Sequence, residues 1–278
     1  MPAGRILLGT SSWSEKGWVG PFYPAGTKPA DFLAYYATQF ATVEADNTYY
    51  RVPSRSMVQN WRERTPDGFE LAAKFPRSIV HAGKGEKPDG ALILAGDDAK
   101  RETHAFLDVM RELGPRCGPL VLQFPYLNKT AFATPRAFLD RLAPYLAGLP
   151  RTFRYAVEVR NKNWLREELT NVLREHHVAL VLVDLVYMPH PADLELDLLT
   201  TDFTYVRLIG DRDAVEAKTK TFDHIVIDQS ARLERWARLV ERLQSKLEKT
   251  YAYANNHFAG HGPETIREFA RRLGVRER

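Results

Sequence analysis

Eight short apolar runs, most of them closing on a polar or charged residue, are separated along the chain by intervals with helical patterning. The runs are Arg5–Gly9, Ala41–Glu44, Phe69–Lys74, Leu120–Gln123, Tyr155–Glu158, Ala179–Asp184, Tyr205–Arg207 and Tyr251–Asn255. Strand-length runs alternating with amphipathic intervals predict an α/β fold, specifically a (β/α)8 barrel. In a closed parallel barrel every strand turns its C-terminal end to one face. Glu44, Lys74, Gln123, Glu158, Asp184, Arg207 and Asn255 are therefore expected to converge there, where barrel enzymes keep their chemistry.

The intervals carry their own signals. Lys28–Phe40 spaces Phe32, Tyr36 and Phe40 helically, and Ser54 is placed to cap a helix with Met57 and Trp61 on one face. Asp97–Leu113 forms a stripe stopped by Gly114, and Thr134-Pro135 is a cap followed by proline at the first helical position. Trp164–His176, Ala231–Lys249 and Pro263–Leu273 continue the series. The weak link is Leu185–Asp202, where Pro189 and Pro191 leave room only for a short helix. Phe75–Gly96 and Ile209–Ser230 are long strand-to-helix connections, either lids over the catalytic face or plain surface loops.

Strand alternation refines the convergence. Glu158 and Arg160 share one face of the fifth strand region and Val157 and Val159 the other; Tyr205 and Arg207 likewise point inward and Val206 and Leu208 outward. Lys74, Arg160 and Arg207 would then meet Glu44, Glu158 and Asp184, three cations against three anions. Such a set reads as an ion-pair network filling the barrel mouth or as a site for a polar ligand, since burying charge costs stability that apolar layers would not.

Size and composition set the frame. At 278 residues, with no Gly/Ser-rich or Pro-rich linker, residues 1–278 read as one barrel domain. Hydrophobic residues make up 44% of the chain, yet no run approaches the ~18 residues of a membrane span, and Ile6–Leu8 is too short for a secretory signal. A cytoplasmic location with no membrane partner is expected. The single cysteine, Cys117, excludes an internal disulfide and any multi-cysteine metal site, and its place before the fourth strand points to packing rather than nucleophilic chemistry. A formal net charge of +4 is compatible with anionic partners without naming one.

Other chemistries are less well supported. Glu44, Glu158, Asp184 and His257 offer oxygen and imidazole ligands, but no usual zinc spacing occurs; His257 and His261, though four apart, are separated by Ala259-Gly260 in an expected loop. The expectation is no metal and no cofactor. A glycosidase needs two carboxyl groups flanking the bond it cuts, and the fourth and seventh strands end in Gln123 and Arg207. Gly9-Thr10-Ser11-Ser12 could form an anion nest or an ordinary turn. Trp13, Trp18, Tyr23, Tyr49, Tyr50 and Trp164 follow strand ends, where aromatic rings stack on sugars or bases or simply pack loops onto the barrel.

Gly9-Thr10-Ser11-Ser12-Trp13, Phe22-Tyr23-Pro24, Glu44-Ala45-Asp46-Asn47-Thr48-Tyr49-Tyr50, Gly118-Pro119-Leu120-Val121-Leu122-Gln123-Phe124-Pro125, Val157-Glu158-Val159-Arg160 and Asn255-Asn256-His257 occur in that order. Together they resemble domain-of-unknown-function family 72, the YecE-like family, from the first strand to the last. The resemblance implies a TIM barrel and transfers no settled activity. By position it carries the family's polar residues to Glu44, Asn47, Lys74, Gln123, Glu158, Arg160, Asp184, Arg207, Asn255 and Asn256. Ser12 stands where glycine is usual, and Asn161 where histidine is usual.

The reading that combines these signals is a barrel enzyme, hydrolysis being the first choice of reaction, that binds a polar anionic small molecule at the strand ends. Arg160, Arg207 and Lys74 would hold the anion, Glu158 or Glu44 would move the proton, and Asp184 would orient a cation. Gln123, Asn47, Asn255, Asn256, Tyr205 and Trp13 would complete the binding surface. The rival is a non-catalytic nucleic-acid or ligand-binding protein that uses the basic surface and the loop aromatics. The oligomeric state stays open.

Overall fold

The computed structural model describes residues 4–275. Eight parallel strands, β1 (Arg5–Thr10), β2 (Thr42–Ala45), β3 (Glu70–Lys74), β4 (Cys117–Gln123), β5 (Tyr155–Glu158), β6 (Ala179–Leu185), β7 (Phe203–Gly210) and β8 (Lys249–Ala254), form one sheet in the order β1-β8-β7-β6-β5-β4-β3-β2. The sheet curls into the predicted barrel, and β8 closes on β1 in parallel register with Leu7 opposite Tyr251.

The β1–β2 seam is closed by a side chain. Helix α1 (Phe32–Gln39) inserts Tyr36, whose hydroxyl accepts from the Thr10 amide at 2.7 Å and donates to the Thr42 carbonyl at 3.3 Å. These bonds stand where ladder hydrogen bonds would otherwise run, and no ladder between these two strands is found among the described residues. Gly9 is what permits the approach: a Cβ there would lie 2.1 Å from the Thr42 carbonyl oxygen.

The crossovers follow from local sequence. In α2 (Arg55–Glu63) the Ser54 hydroxyl accepts from the Met57 amide at 3.2 Å while Val58 and Trp61 are buried. Thr134 caps α5 (Pro135–Ala147) by accepting from the Ala137 amide at 3.1 Å, and Pro135 occupies the position whose amide has no helical partner. Helix α4 (Gly96–Met110) runs into a 3-10 turn that Gly114 ends with a φ of 54°. The long connections contain α3 (Arg77–Val80) and α7 (Arg212–Glu216); α6 (Glu167–Glu175), α8 (Ser230–Gln244), α9 (Asn256–Ala259) and α10 (Gly262–Arg272) complete the ring.

Several boundaries differ from expectation. Helix α8 stops at Gln244, five residues short of Lys249, which opens β8; the sequence pattern overran the end because its apolar spacing continues unbroken across the turn between them. Trp164 closes a 3-10 turn, and α6 starts only at Glu167. Between β6 and β7 a single 3-10 turn at Pro191–Asp193 replaces a helix.

Two apolar layers result. Inward residues, including Leu7, Ala72, Val121, Ala156, Val181, Tyr205, Tyr251 and Tyr253, fill the barrel. Outward ones such as Val43, Leu122, Val157, Leu182 and Val206 pack against the helices. The ring of Tyr205 lies 4.9 Å from that of Tyr253 and 6.3 Å from that of Tyr251, so three phenols occupy the axis.

Candidate functional site

At the C-terminal face the inward positions of β2, β3, β4, β5 and β7 bring Glu44, Lys74, Gln123, Glu158 and Arg207 together. Arg207 is the hub. Its Nη2 donates to Glu44 Oε1 at 2.8 Å, and its Nη1 donates to Glu158 Oε2 at 2.5 Å and to Gln123 Oε1 at 2.7 Å. Tyr205, two residues back on β7, donates its hydroxyl to the other Glu44 oxygen at 2.7 Å. Glu44 and Glu158 are fully buried and Arg207 is 2% exposed. The Nε of Arg207 is buried with no hydrogen-bond partner among the described residues.

An outer layer rests on this base. Lys74 Nζ lies 3.6 Å from Glu44 Oε1 and pairs directly with Asp46. Arg160 Nε donates to Glu158 Oε1 at 2.9 Å. The side chain of Asp46 is 40% exposed and that of Arg160 25%, so these two face solvent where the inner layer does not. Burial raises the hydroxyl pKa of Tyr49, against the fields of Arg77 and Arg160.

The electrostatics separate the layers. Burial pushes the Glu158 carboxyl upward, but Arg207 and then Arg160 outweigh it and hold it at about 2. Burial likewise opposes the charge on Arg207, yet Glu158 and Glu44 raise its pKa well above the usual range, so it stays cationic. Asp46 is also lowered: burial acts against its charge and Lys74 and Arg207 overcome it. Glu158, fully buried and with a guanidinium on each oxygen, presents neither oxygen to a ligand in the mouth, whereas Asp46 is partly exposed.

The expected residues divide. Asp184 does not join the cluster. Val181 and Val183 hold the inward positions of β6, the latter in register with Arg207. Asp184 therefore points outward, accepting from Trp236 Nε1 at 2.6 Å and pairing with Arg232 on α8. Its carboxyl is raised by burial, against Arg232 and Trp236.

Asn255 caps α9 through the His257 amide at 3.0 Å and also bonds the His257 ring, and Asn256 Oδ1 accepts from Trp18 Nε1 at 3.2 Å and the Gly262 amide at 2.9 Å. Trp13 packs edge-on against Trp61 at 5.6 Å, and Asn47 is exposed. The Gly9–Ser12 turn offers no nest, since the Thr10 amide goes to Tyr36 and the Ser11 amide to the Ala254 carbonyl. Burial pushes the Cys117 thiol up to about 12, at the first position of β4.

Sequence reasoning missed Asp46. It lies two residues beyond Glu44 and so shares its parity, but it falls in a 3-10 turn past the strand end. Among the described residues no three His, Cys, Asp or Glu side chains form a group that could hold a metal.

Fold and site thus define a TIM-barrel protein with a layered ionic cluster at the C-terminal face. The chain belongs to the family described as "Protein of unknown function DUF72", whose model matches residues 7–278. It is 33% identical over 184 residues to the UPF0759 protein YecE of Escherichia coli (strain K12), an alignment spanning 64% of this chain and 59% of that protein. Among solved structures it is similar to a DUF72 family protein of Thermotoga maritima MSB8 with a TM-score of 0.71 and 25% identity, covering 97% of this chain and 99% of that one. A DUF72 family protein of Enterococcus faecalis V583 gives a TM-score of 0.71 at 19% identity, covering 98% of this chain and 96% of that one, and shows the shared fold.

Proposed function

We propose that the barrel mouth is the active site of an enzyme that hydrolyses a polar, anionic small molecule. The observation that carries this reading is the partly exposed Asp46, paired with the buried Lys74, and Arg160, both resting on the buried Arg207–Glu44–Glu158 network. Arg160 uses only its Nε on Glu158, which leaves its terminal nitrogens to hold a carboxylate or phosphate bidentately. Arg207 supports them from below instead of touching the ligand as the strand pattern suggested. The proton-transfer role expected of Glu158 or Glu44 passes to Asp46.

In this scheme Asp46 accepts a proton from water as the water oxygen bonds to the electrophilic centre. The bond to the leaving group breaks, and that group takes a proton from the Lys74 ammonium. The proton returns from Asp46 to Lys74 across their direct contact, so the cycle balances. Gln123, held by Arg207 and 9% exposed, supplies a neutral hydrogen bond at the floor.

Turnover on a panel of esters, phosphate esters and glycosides tests this reading. Asp46→Asn is expected to lower kcat at least ~100-fold, the usual size of a lost general base, and Arg160→Ala to raise KM about tenfold, as for one lost charge-assisted contact. A panel that yields no turnover, or turnover that survives Asp46→Asn, overturns it.

A further inference from the structure

The exposed large apolar side chains are distributed with a bias. Tyr50, Leu92, Tyr126, Val186, Tyr187 and Ile225 are all at least 36% exposed, and every one lies in a connection leaving the C-terminal end of a strand. Among the described residues the opposite face has none. Charge on the same rim is also uneven. Residues 124–134 after β4 and 159–166 after β5 contain Lys129, Arg160, Lys162 and Arg166 and no carboxylate.

Lys129, Lys162 and Arg166 are exposed and take part in no ion pair or side-chain hydrogen bond among the described residues. Across the mouth, after β7, the cations Arg212 and Lys220 are instead both paired with Glu216. An unpaired cation cluster on one sector therefore sits beside Tyr126, which is 61% exposed. Between α5 and α6, at the outer edge of this sector, a groove of about 320 Å³ is lined by Phe138, Leu139 and Trp164 together with Arg166, Glu168 and Arg136, the last of these paired with Asp140. That volume is at the low end of small-ligand sites.

We propose that the β4–β5 sector of the rim binds single-stranded nucleic acid, with Lys129, Lys162 and Arg166 on its phosphates, Tyr126 under one base and the groove receiving another. An exposed ring among unpaired cations is the combination that single strands use, because every base offers a π-face and every linkage a negative charge. An acidic peptide would match the cations but leave the aromatic ring and apolar groove without a role. A duplex hides the base faces that the ring and groove would take. The surface is separate from the residues assigned to hydrolysis, and Arg160 marks where the two meet.

Fluorescence anisotropy of labelled oligo-dT and oligo-rU twelve-mers with the full chain, over a salt series, tests the proposal. Both are expected to bind more tightly than a duplex of equal length, and the preferred sugar identifies the natural strand. The variant Lys129→Ala/Lys162→Ala/Arg166→Ala is expected to weaken binding at least tenfold and to flatten the plot of log K against log salt by about 2, from ~0.7 per lost phosphate contact. Tyr126→Ala is expected to weaken it about tenfold, with Tyr126→Phe near wild type.

Lys100→Ala/Arg101→Ala, on exposed cations of α4, is the matched control and should leave binding unchanged. Asp46→Asn should keep oligonucleotide binding within twofold, which separates this result from the fate of the hydrolase reading. No binding at low salt, binding indifferent to the triple substitution, or equal competition by polyglutamate overturns the proposal.

Discussion

The two ends of the barrel both bury charge, and they do it differently. At the N-terminal end Glu70, 4% exposed, accepts from Lys249 Nζ at 2.6 Å and from the Tyr251 hydroxyl at 2.5 Å. One carboxylate is met by two donors, and the set ties β3 to β8 across the axis. At the C-terminal end Arg207 plays the same tying role for β2, β4, β5 and β7, but its Nε has no hydrogen-bond partner among the described residues, and two partly exposed side chains, Arg160 and, through the buried Lys74, Asp46, rest on the network. Buried charge is therefore common to both ends. What distinguishes the C-terminal end is that its buried ionic network carries open groups, the feature on which the proposed hydrolase reading rests.

The largest effect should come from removing the hub. Arg207→Met leaves Glu44 and Glu158 buried without their shared cation, and a loss of about 5 kcal/mol is expected, the upper end for a broken buried pair. Thermal melts should show a fall of more than ~10 °C in Tm. A change of only a degree or two would erase the distinction between base and open layer.

The same operation at the other end should separate stability from chemistry. Glu70→Gln is expected to cost about 3 kcal/mol, because Lys249 loses its buried counter-charge. At a temperature where the variant stays folded, turnover should match wild type. Loss of turnover per folded molecule would mean that the two ends are coupled.

Acid should act through the base. Glu158 is held at about 2 against an ordinary 4.5, so its folded-state pKa is depressed. Its contribution is fully present above the unfolded value and is lost as pH falls from about 4.5 toward 2, amounting to about 3 kcal/mol. Urea midpoints measured from pH 7 to pH 3 should fall less steeply in Glu158→Gln than in wild type. Parallel profiles would remove Glu158 from the ion network. The smallest stability effect belongs to Asp46→Asn, under ~1 kcal/mol, because that carboxylate is partly exposed and screened by solvent.

The barrel was legible because its strands are short apolar runs and its crossovers carry their own caps, as Ser54 and Thr134 show. The inner layer was legible for a related reason: Glu44, Lys74, Gln123, Glu158 and Arg207 all occupy inward parity at strand ends. Asp184 was misplaced by reading the end of a run instead of its parity, since Ala179 and Val181 already claim the inward face of β6. Asp46 escaped because the strand period ends at Ala45 and only the turn geometry returns its carboxylate to Lys74. Asn255 and Asn256 have the right position in the chain, but their side chains hold α9, Trp18 and the start of α10 in place. The seam at Tyr36 had no periodic signature, because it depends on a hydroxyl from a helix meeting two strands.

The most direct test of the two-layer account is the pair of unfolding free energies for Glu158→Gln and Asp46→Asn, measured by urea titration at pH 7. A loss of about 3 kcal/mol or more for Glu158→Gln, beside a change under ~1 kcal/mol for Asp46→Asn, is the predicted result. Equal losses, or a gain in stability from Glu158→Gln, would contradict it.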